Sequence, residues 1–266
     1  MRQHTSPAHL LDASEPAPYQ VHRAGATAPQ LVVCDHAGRE FPRALNHLGL
    51  APQHRVSHIA QDLGAGDLSL ALSERLNATG VLCNYSRLVV DCNRSLTDMS
   101  AFLDMSDGVE VPGNRGLSDE AREIRAEAIY RPYHGAIDAE LDRLCAVVEA
   151  PVLIAIHSFT RFLDGEDRRW DCGVLWDLDA RIARPLLDAL RDDGTLLVGD
   201  NLPYSGRHPE DFTVDHHAET RRFPYAALEV RQDLLDTPAR LERMADRIHA
   251  ALEPILADPG LYTLRS

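Results

Sequence analysis

Four apolar runs in this chain each end in polar residues of the types that do metal-assisted hydrolysis. Leu31-Val32-Val33-Cys34 leads into Asp35-His36, and Leu88-Val89-Val90 leads into Asp91-Cys92-Asn93-Arg94. Val152-Leu153-Ile154-Ala155-Ile156 leads into His157-Ser158, and Ala226-Ala227-Leu228 into Glu229-Val230-Arg231. Imidazole is the commonest side-chain metal ligand, and a catalytic zinc takes three protein ligands plus water. His36 and His157 supply two such ligands. Singly, each reads as a core histidine satisfied by backbone groups; together, at two strand ends, they read as a metal pair. The third ligand is expected to be a carboxylate, and Asp35, Glu40 and Asp62 compete for it. Asp62 lies in the glycine-containing turn Gln61-Asp62-Leu63-Gly64-Ala65-Gly66. Glu40 follows His36 by four residues, and Asp35 points away from His36 if the chain is still extended there.

Glu229 stands inside an apolar run, where a carboxylate is costly unless paired. Beside a metal it suits a general base whose pKa burial has raised; otherwise it is an ion-pair partner of Arg231 or of another arginine. Asn93-Arg94 follow one run and Arg87 precedes it. The guanidinium fork of arginine matches a carboxylate bidentately, although in an acidic chain a surface ion pair is always available to it. His217 adjoins His216 in a polar segment that reads more readily as a solvated loop than as a ligand pair. There is no GxSxG, GxxxxGK[ST] or HExxH, so serine-hydrolase, P-loop and zincin chemistry lack their motifs.

These residues need strands to bring them together. Short apolar runs read as buried strands, and open α/β sheets bind ligands beyond the carboxyl ends of their strands. The expected strands are 30–35, 81–85, 88–91, 151–157, 174–176 and 196–198. Helices are expected over 67–77, stopped by Gly80, and from the N-cap Ser118, ending or kinking near Arg131-Pro132. A further helix carries Ile137, Leu141, Leu144 and Val148, another carries Leu186, Leu187 and Leu190, and the last begins at Thr237-Pro238. Alternation of strand and helix predicts an α/β fold, a three-layer α/β/α sandwich on a central, mostly parallel but mixed sheet of the phosphorylase/hydrolase-like kind. Residues 1–28, with three prolines, read as an extended lead-in to a single domain over 29–266. The loop 98–117 is long enough to be functional, as a lid or as the carrier of Arg115.

The bulk properties exclude several classes. The 266 residues carry 27 basic and 41 acidic side chains, a net charge of −14. Such a surface repels phosphate backbones and argues against nucleic-acid binding. No apolar stretch reaches membrane-spanning length, and the first twenty residues lack a signal-peptide core. Five cysteines, an odd count without CxxC, fit free thiols in a reducing cytoplasm. Nothing in the sequence sets an oligomeric state.

One family shows these features in the same order. The matching stretches begin with Cys34-Asp35-His36-Ala37, His58-Ile59-Ala60-Gln61-Asp62-Leu63-Gly64-Ala65 and Asn84-Tyr85-Ser86-Arg87-Leu88-Val89-Val90-Asp91-Cys92-Asn93-Arg94. They continue with Pro112-Gly113-Asn114-Arg115-Gly116-Leu117-Ser118, Pro132-Tyr133-His134, Ile156-His157-Ser158, Gly199-Asp200-Asn201 and Leu228-Glu229-Val230-Arg231-Gln232-Asp233-Leu234. Each is weak alone; together they run through about residues 30–235, and the chain resembles the N-formylglutamate amidohydrolase family. The resemblance implies a zinc-dependent amidohydrolase with a fold like that of zinc carboxypeptidases and aspartoacylase. Those relatives use a His-x-x-Glu pair, then Asn-Arg for a substrate carboxylate, a further His ligand and a catalytic Glu. Here the order is His36, Asn93-Arg94, His157 and Glu229, with one departure: position 39 is Arg39, not Glu. The formylglutamate branch resembles this chain in carrying an Asp where Asp62 stands, which moves the acidic ligand there.

The expectation is therefore zinc, or another divalent metal, on His36, Asp62 and His157. Glu229 would take a proton from water and deliver it to the leaving amine. Arg87 would polarise the amide oxygen, Asn93 and Arg94 would hold the carboxylate of a small amide substrate, and His217 would assist the oxyanion or the substrate. The chain is more similar to shorter family members than to the dedicated histidine-degradation enzyme, so N-formylglutamate stands for a class of N-acyl amino acids. The competing expectations are a metallo-peptidase acting on short peptides and a non-catalytic metabolite-binding protein.

Overall fold

The run Val152–Phe159 is buried along its whole length. A strand buried on both faces must lie inside a sheet covered on both sides, and the rest of the chain supplies that cover. The computed structural model describes residues 10–265 other than 164, 193 and 210. Its strands are β1 (Tyr19–His22), β2 (Gln30–Cys34), β3 (Thr79–Cys83), the small hairpin of β4 (Met105–Ser106) and β5 (Val109–Glu110), and β6 (Val152–Phe159). There follow a second hairpin of β7 (Phe162–Leu163) and β8 (Glu166–Asp167), then β9 (Cys172–Leu175), β10 (Val198–Asp200) and β11 (Tyr225–Arg231). The helices are α1 (Ala65–Leu76), α2 (Asp119–Arg125), α3 (Arg131–Cys145), α4 (Ala183–Asp192), the single turn α5 (Phe212–Val214) and α6 (Pro238–Leu256).

Seven strands form the central sheet in the order β1-β3-β2-β6-β11-β9-β10. The middle four, β3, β2, β6 and β11, run parallel, so their carboxyl ends share one edge. β1 pairs antiparallel with β3, and β9 antiparallel with β11 but parallel with β10, which makes the sheet mixed. On one face, Val32, Ile154, Ile156 and Leu228 pack with Leu68 and Leu72 of α1, Leu186 and Leu190 of α4, and Met244 and Ile248 of α6. On the other face, Val33, Leu153, Ala155 and Ala227 pack with Ile129, Tyr133, Ile137 and Leu141. The result is the expected three-layer sandwich. The helix caps are as expected where the side chain acts directly: Ser118 Oγ accepts from Ala121 N at 3.2 Å, and Thr237 Oγ1 from Arg240 N at 3.4 Å. Among the described residues no helix is long and apolar enough to cross a membrane, and all five cysteines are free.

Several local expectations need correcting. Helix α1 is stopped by Asn77 in the left-handed region (φ 51°), not by Gly80, which lies within β3. Near Pro132 the helix neither ends nor breaks. Ala126–Tyr130 widens into a π-turn closed by Arg131 N to Ala126 O, and α3 continues from it. A π-turn there accommodates a proline whose missing N–H and ring would disrupt regular α-helix. The segment read as a lead-in contributes an edge strand, β1; its residues 1–9 lie outside the described residues. The loop 98–117 holds the β4–β5 hairpin, and Arg115 pairs at the surface with Glu110 at 2.6 Å.

The largest difference is at Leu88–Asp91, which is buried as expected but is a turn, not a strand. Its backbone groups find partners outside any ladder. Val89 N donates to Ser86 O, Asp91 N to Ala101 O, and Asn114 Nδ2 to Leu88 O. Arg125, 3% exposed, donates to Val89 O at 3.0 Å, to Asn114 Oδ1 at 2.6 Å and to Gly113 O at 3.0 Å. A short apolar run has the same composition whether its amides bond to a neighbouring strand or to such side chains, so periodicity alone does not separate the two. Because buried carbonyls left without donors are expensive, Arg125→Leu is expected to lower stability by roughly 2–4 kcal/mol. Urea denaturation of the parent and variant measures this, and an unchanged midpoint would show that the turn does not depend on Arg125.

Candidate metal centre

The shared carboxyl edge of the parallel strands places three expected residues together. His36 follows β2 by two residues, His157 lies in β6, and Glu229 sits opposite His157 in the β6–β11 register. Asp62 reaches the same edge from the turn before α1. Its backbone N–H donates to His36 O at 2.9 Å, and Ala65 N closes the turn onto Asp62 O. Gly64 caps α1 at φ 81°, and a Cβ there would lie 2.5 Å from Leu235 Cβ, so the turn demands glycine on two counts.

The side chains converge on one carboxylate oxygen. Asp62 Oδ2 lies 3.3 Å from His36 Nδ1 and 3.0 Å from His157 Nδ1, and Ser158 N donates to it at 3.3 Å. The rings of His36 and His157 stand 5.1 Å apart, edge to face. Behind each ring stands another acid. His36 Nε2 is 2.7 Å from Asp91 Oδ1, and His157 Nε2 is 3.3 Å from Asp35 Oδ2, facing it without hydrogen-bond alignment. Asp35 is fixed in turn by the Thr213 hydroxyl at 2.7 Å.

This donor set fits a divalent cation. A carboxylate behind Nε2 favours the tautomer with the proton there and leaves Nδ1 a lone pair, the arrangement of ligating histidines. Two such lone pairs and an Asp62 oxygen, all within 4.8 Å of one another, then repel unless a positive charge lies among them. With protons alone the same field acts on the rings. Burial and Arg87 press His36 toward neutrality, but Asp91 and Asp62 outweigh them and raise its pKa. Burial also opposes charge on His157, which Asp35 and Asp62 raise well above the usual imidazole range.

Asp62 is the acid the fold brings to the two histidines. Asp35 stands behind His157, and Glu40 is exposed, its backbone bridging to Tyr85. Glu229 is 7% exposed, its Oε2 is buried without a hydrogen-bond partner, and burial raises its carboxyl to about 7. The cavity, about 100 Å³, is lined by His36, Asp62, His157 and Glu229 together with Arg87, Asn93 and Arg94. Arg87 grips Asp91 through Nε at 3.0 Å and Nη2 at 2.7 Å, and its Nη1 stands 3.4 Å from Asp62. Asn93 Oδ1 accepts from Thr213 N at 2.9 Å, which turns its Nδ2 to the other side.

His217 is not brought to this cavity. It is fully buried on the neighbouring turn Asp215–Glu219, its Nε2 2.9 Å from His134 Nδ1 and its Nδ1 3.0 Å from Asp138. The reading of His216-His217 as a solvated loop also fails for His217, because the π-turn aims it at α3 while His216 stays exposed. Asp91, named from the sequence only as the end of an apolar run, had no role assigned to it, and Tyr204 and Asp211 were not singled out. Asp91 had a signal: its spacing of four from Arg87, with which it pairs across the turn. Tyr204 and Asp211 line the cavity from irregular segments whose positions no periodicity marks.

Comparison with known proteins identifies the family. The family model for N-formylglutamate amidohydrolase matches residues 28–235. An N-formylglutamate deformylase of Pseudomonas putida is 32% identical over 131 residues, covering 44% of this chain and 46% of that protein, so the match spans about half of each. The structure of a gene product from Agrobacterium tumefaciens superposes with a TM-score of 0.89 at 31% identity, covering 93% of this chain and 98% of that one. An N-formylglutamate amidohydrolase from Ralstonia eutropha shares the fold, with a TM-score of 0.64 at 16% identity over 91% of this chain and 97% of that one. With a family match over most of its length and a solved relative alike in nearly every element, this chain belongs to the N-formylglutamate amidohydrolase family.

Proposed function

We propose that the chain is a metal-dependent amidohydrolase that cleaves the amide of a small N-acyl amino acid, N-formylglutamate first among them. The observation that carries this reading is the meeting, in one cavity, of the His36–Asp62–His157 donor set with the buried, unbonded carboxylate of Glu229. A binding protein has no use for a base held this way. Family membership supports the substrate class. The modest size of the cavity favours a small amide over a long peptide.

A divalent ion such as zinc, held by His36, Asp62 and His157, would supply Lewis acidity and a water that loses its proton near neutrality. The remaining work belongs to the chain. Glu229 accepts the proton of the attacking water at its open oxygen and returns it to the leaving amine; a carboxyl raised to about 7 suits both halves of that transfer. Arg87, anchored on Asp91, offers Nη1 to the amide oxygen as negative charge develops there. Asn93 Nδ2 and the Arg94 guanidinium hold the carboxylate of the substrate. Asp91 keeps the His36 imidazole oriented, and the Asp35 carboxylate faces that of His157.

Glu229→Gln is expected to lower kcat by about a thousandfold while bound metal, measured by elemental analysis, stays at the parental level. A metal-loaded variant with full activity would remove Glu229 from the base role. Chelation of the parent should abolish hydrolysis of N-formyl amino acids, and zinc should restore it; activity indifferent to chelator would overturn the metal reading. Arg94→Ala should raise KM for carboxylate-bearing substrates by about tenfold to a hundredfold, the range of one lost charge-assisted contact, and leave uncharged N-formyl amides unaffected. Equal losses on both would show that Arg94 does not read the carboxylate.

A further inference from the structure

Two imidazoles and a carboxylate also meet outside the catalytic cavity, where α3 faces the turn Asp215–Glu219. The metal-ligating atoms of Asp138, His216 and His217 lie within 4.8 Å of one another. None of the three lines the cavity of the metal centre, and none takes part in the hydrolysis proposed above. His217 is fully buried, Asp138 is half-exposed, and His216 opens to solvent.

Hydrogen bonding fixes the tautomers here. The Cys92 carbonyl can only accept, so His134 Nε2, 2.9 Å away, carries a proton. Burial and the neighbouring His217 push the pKa of His134 down to about 3, so its ring is neutral and its Nδ1 is an acceptor. His217 Nε2, 2.9 Å from that Nδ1, is therefore the donor. The one proton of a neutral His217 is thereby used, and its Nδ1 presents a lone pair to Asp138 Oδ1 at 3.0 Å. Two lone pairs at that distance repel unless a positive charge joins them. A proton would serve only this pair, and would make an imidazolium of a wholly buried ring. It would also leave His216 idle. That ring stacks on Phe212, with centroids 5.2 Å apart, and makes no hydrogen bond among the described residues. Burial and His217 lower its pKa, so it too offers a neutral nitrogen. The cation beside the cluster, Arg221, holds Asp142 at 2.7 Å, lies over the Phe223 ring and reaches Asp138 only at 4.0 Å.

We propose that Asp138, His216 and His217 form a second metal site, for a divalent transition metal of the zinc class, with solvent completing the coordination. Imidazole nitrogen suits zinc, copper or nickel, whereas magnesium and calcium take oxygen. His134 accepts the Nε2 proton of His217 and so orients the ring, as the outer partner of a ligating histidine does. The ion pins the Asp215–Glu219 turn to α3. That turn continues from α5, whose Thr213 donates from its backbone N–H to Asn93 Oδ1 and from its hydroxyl to Asp35. The ion therefore braces, from outside, the segment that holds two residues of the catalytic centre in place.

Zinc titration of the metal-free chain against a coloured competing chelator tests this. The parent should bind two ions per chain. His216→Ala, a change at an exposed residue, should keep one and weaken the other by at least about tenfold. His36→Gln should do the converse, weakening the ion of the catalytic centre and keeping the one that depends on His216. Zinc uptake by His216→Ala equal to that of the parent would overturn the proposal. A parent that binds a single ion, lost in His216→Ala and kept in His36→Gln, would uphold it and count against the catalytic metal instead. Magnesium should leave the His216-dependent site unfilled, and saturation by magnesium would overturn the donor assignment. In His36→Gln, where this site alone fills, zinc should slow amide hydrogen exchange over residues 211–220. Exchange there unchanged by zinc would overturn the bracing role.

Discussion

The site depends on one electrostatic constraint, the crowding of three electron-pair donors, Asp62 Oδ2 and the Nδ1 atoms of His36 and His157. Asp91 holds the far nitrogen of His36 and Asp35 faces that of His157 at 3.3 Å, while the near nitrogens face each other across a carboxylate. That arrangement calls for a positive charge at its centre, as an ion or as protons on the rings. Everything around it serves to hold the donors in place. The β6–β11 register sets Glu229 beside His157, a glycine-capped turn delivers Asp62, and a backbone hydrogen bond ties that turn to His36. A rigid sheet edge supplies the precision, and loops supply the remaining chemistry.

The chain carries a large acidic excess, yet its buried arginines are what distinguish its regions. Arg87 spans Asp91 and Asp62 and so couples the acid behind one histidine to the acid in front of both. Arg125 satisfies carbonyls of a turn that has no strand partner. Arg168 is stacked on aromatic rings at the wall of a cavity, with no acidic partner among the described residues. The same side chain thus serves as a clamp where its partners are carboxylates and as a structural donor where they are carbonyls.

Sequence order and residue type made much of this legible. Histidines and a glutamate at the ends of buried runs, a glycine-bounded Asp62 and an Asn-Arg pair can be read as metal-hydrolase components because strand ends of a parallel sheet meet along one edge. The alternation of runs and amphipathic helices likewise determined the layered fold. What stayed hidden depended on partners distant in sequence. Whether Leu88–Asp91 was strand or turn was decided by Arg125 and Asn114, which supply its donors from far along the chain. His217 was assigned to the site by proximity of type, and a π-turn sends it against His134 instead.

The choice among Asp35, Glu40 and Asp62 shows where that boundary runs. All three are acids at plausible spacings, and the sequence by itself determined only that one of them would join the histidines. The tertiary structure decided which, because a side chain's role depends on the direction its backbone gives it and on the groups packed behind it. Asp35 is turned behind His157, Glu40 is left in solvent, and Asp62 alone of the three is carried by its turn into the space between the two imidazoles.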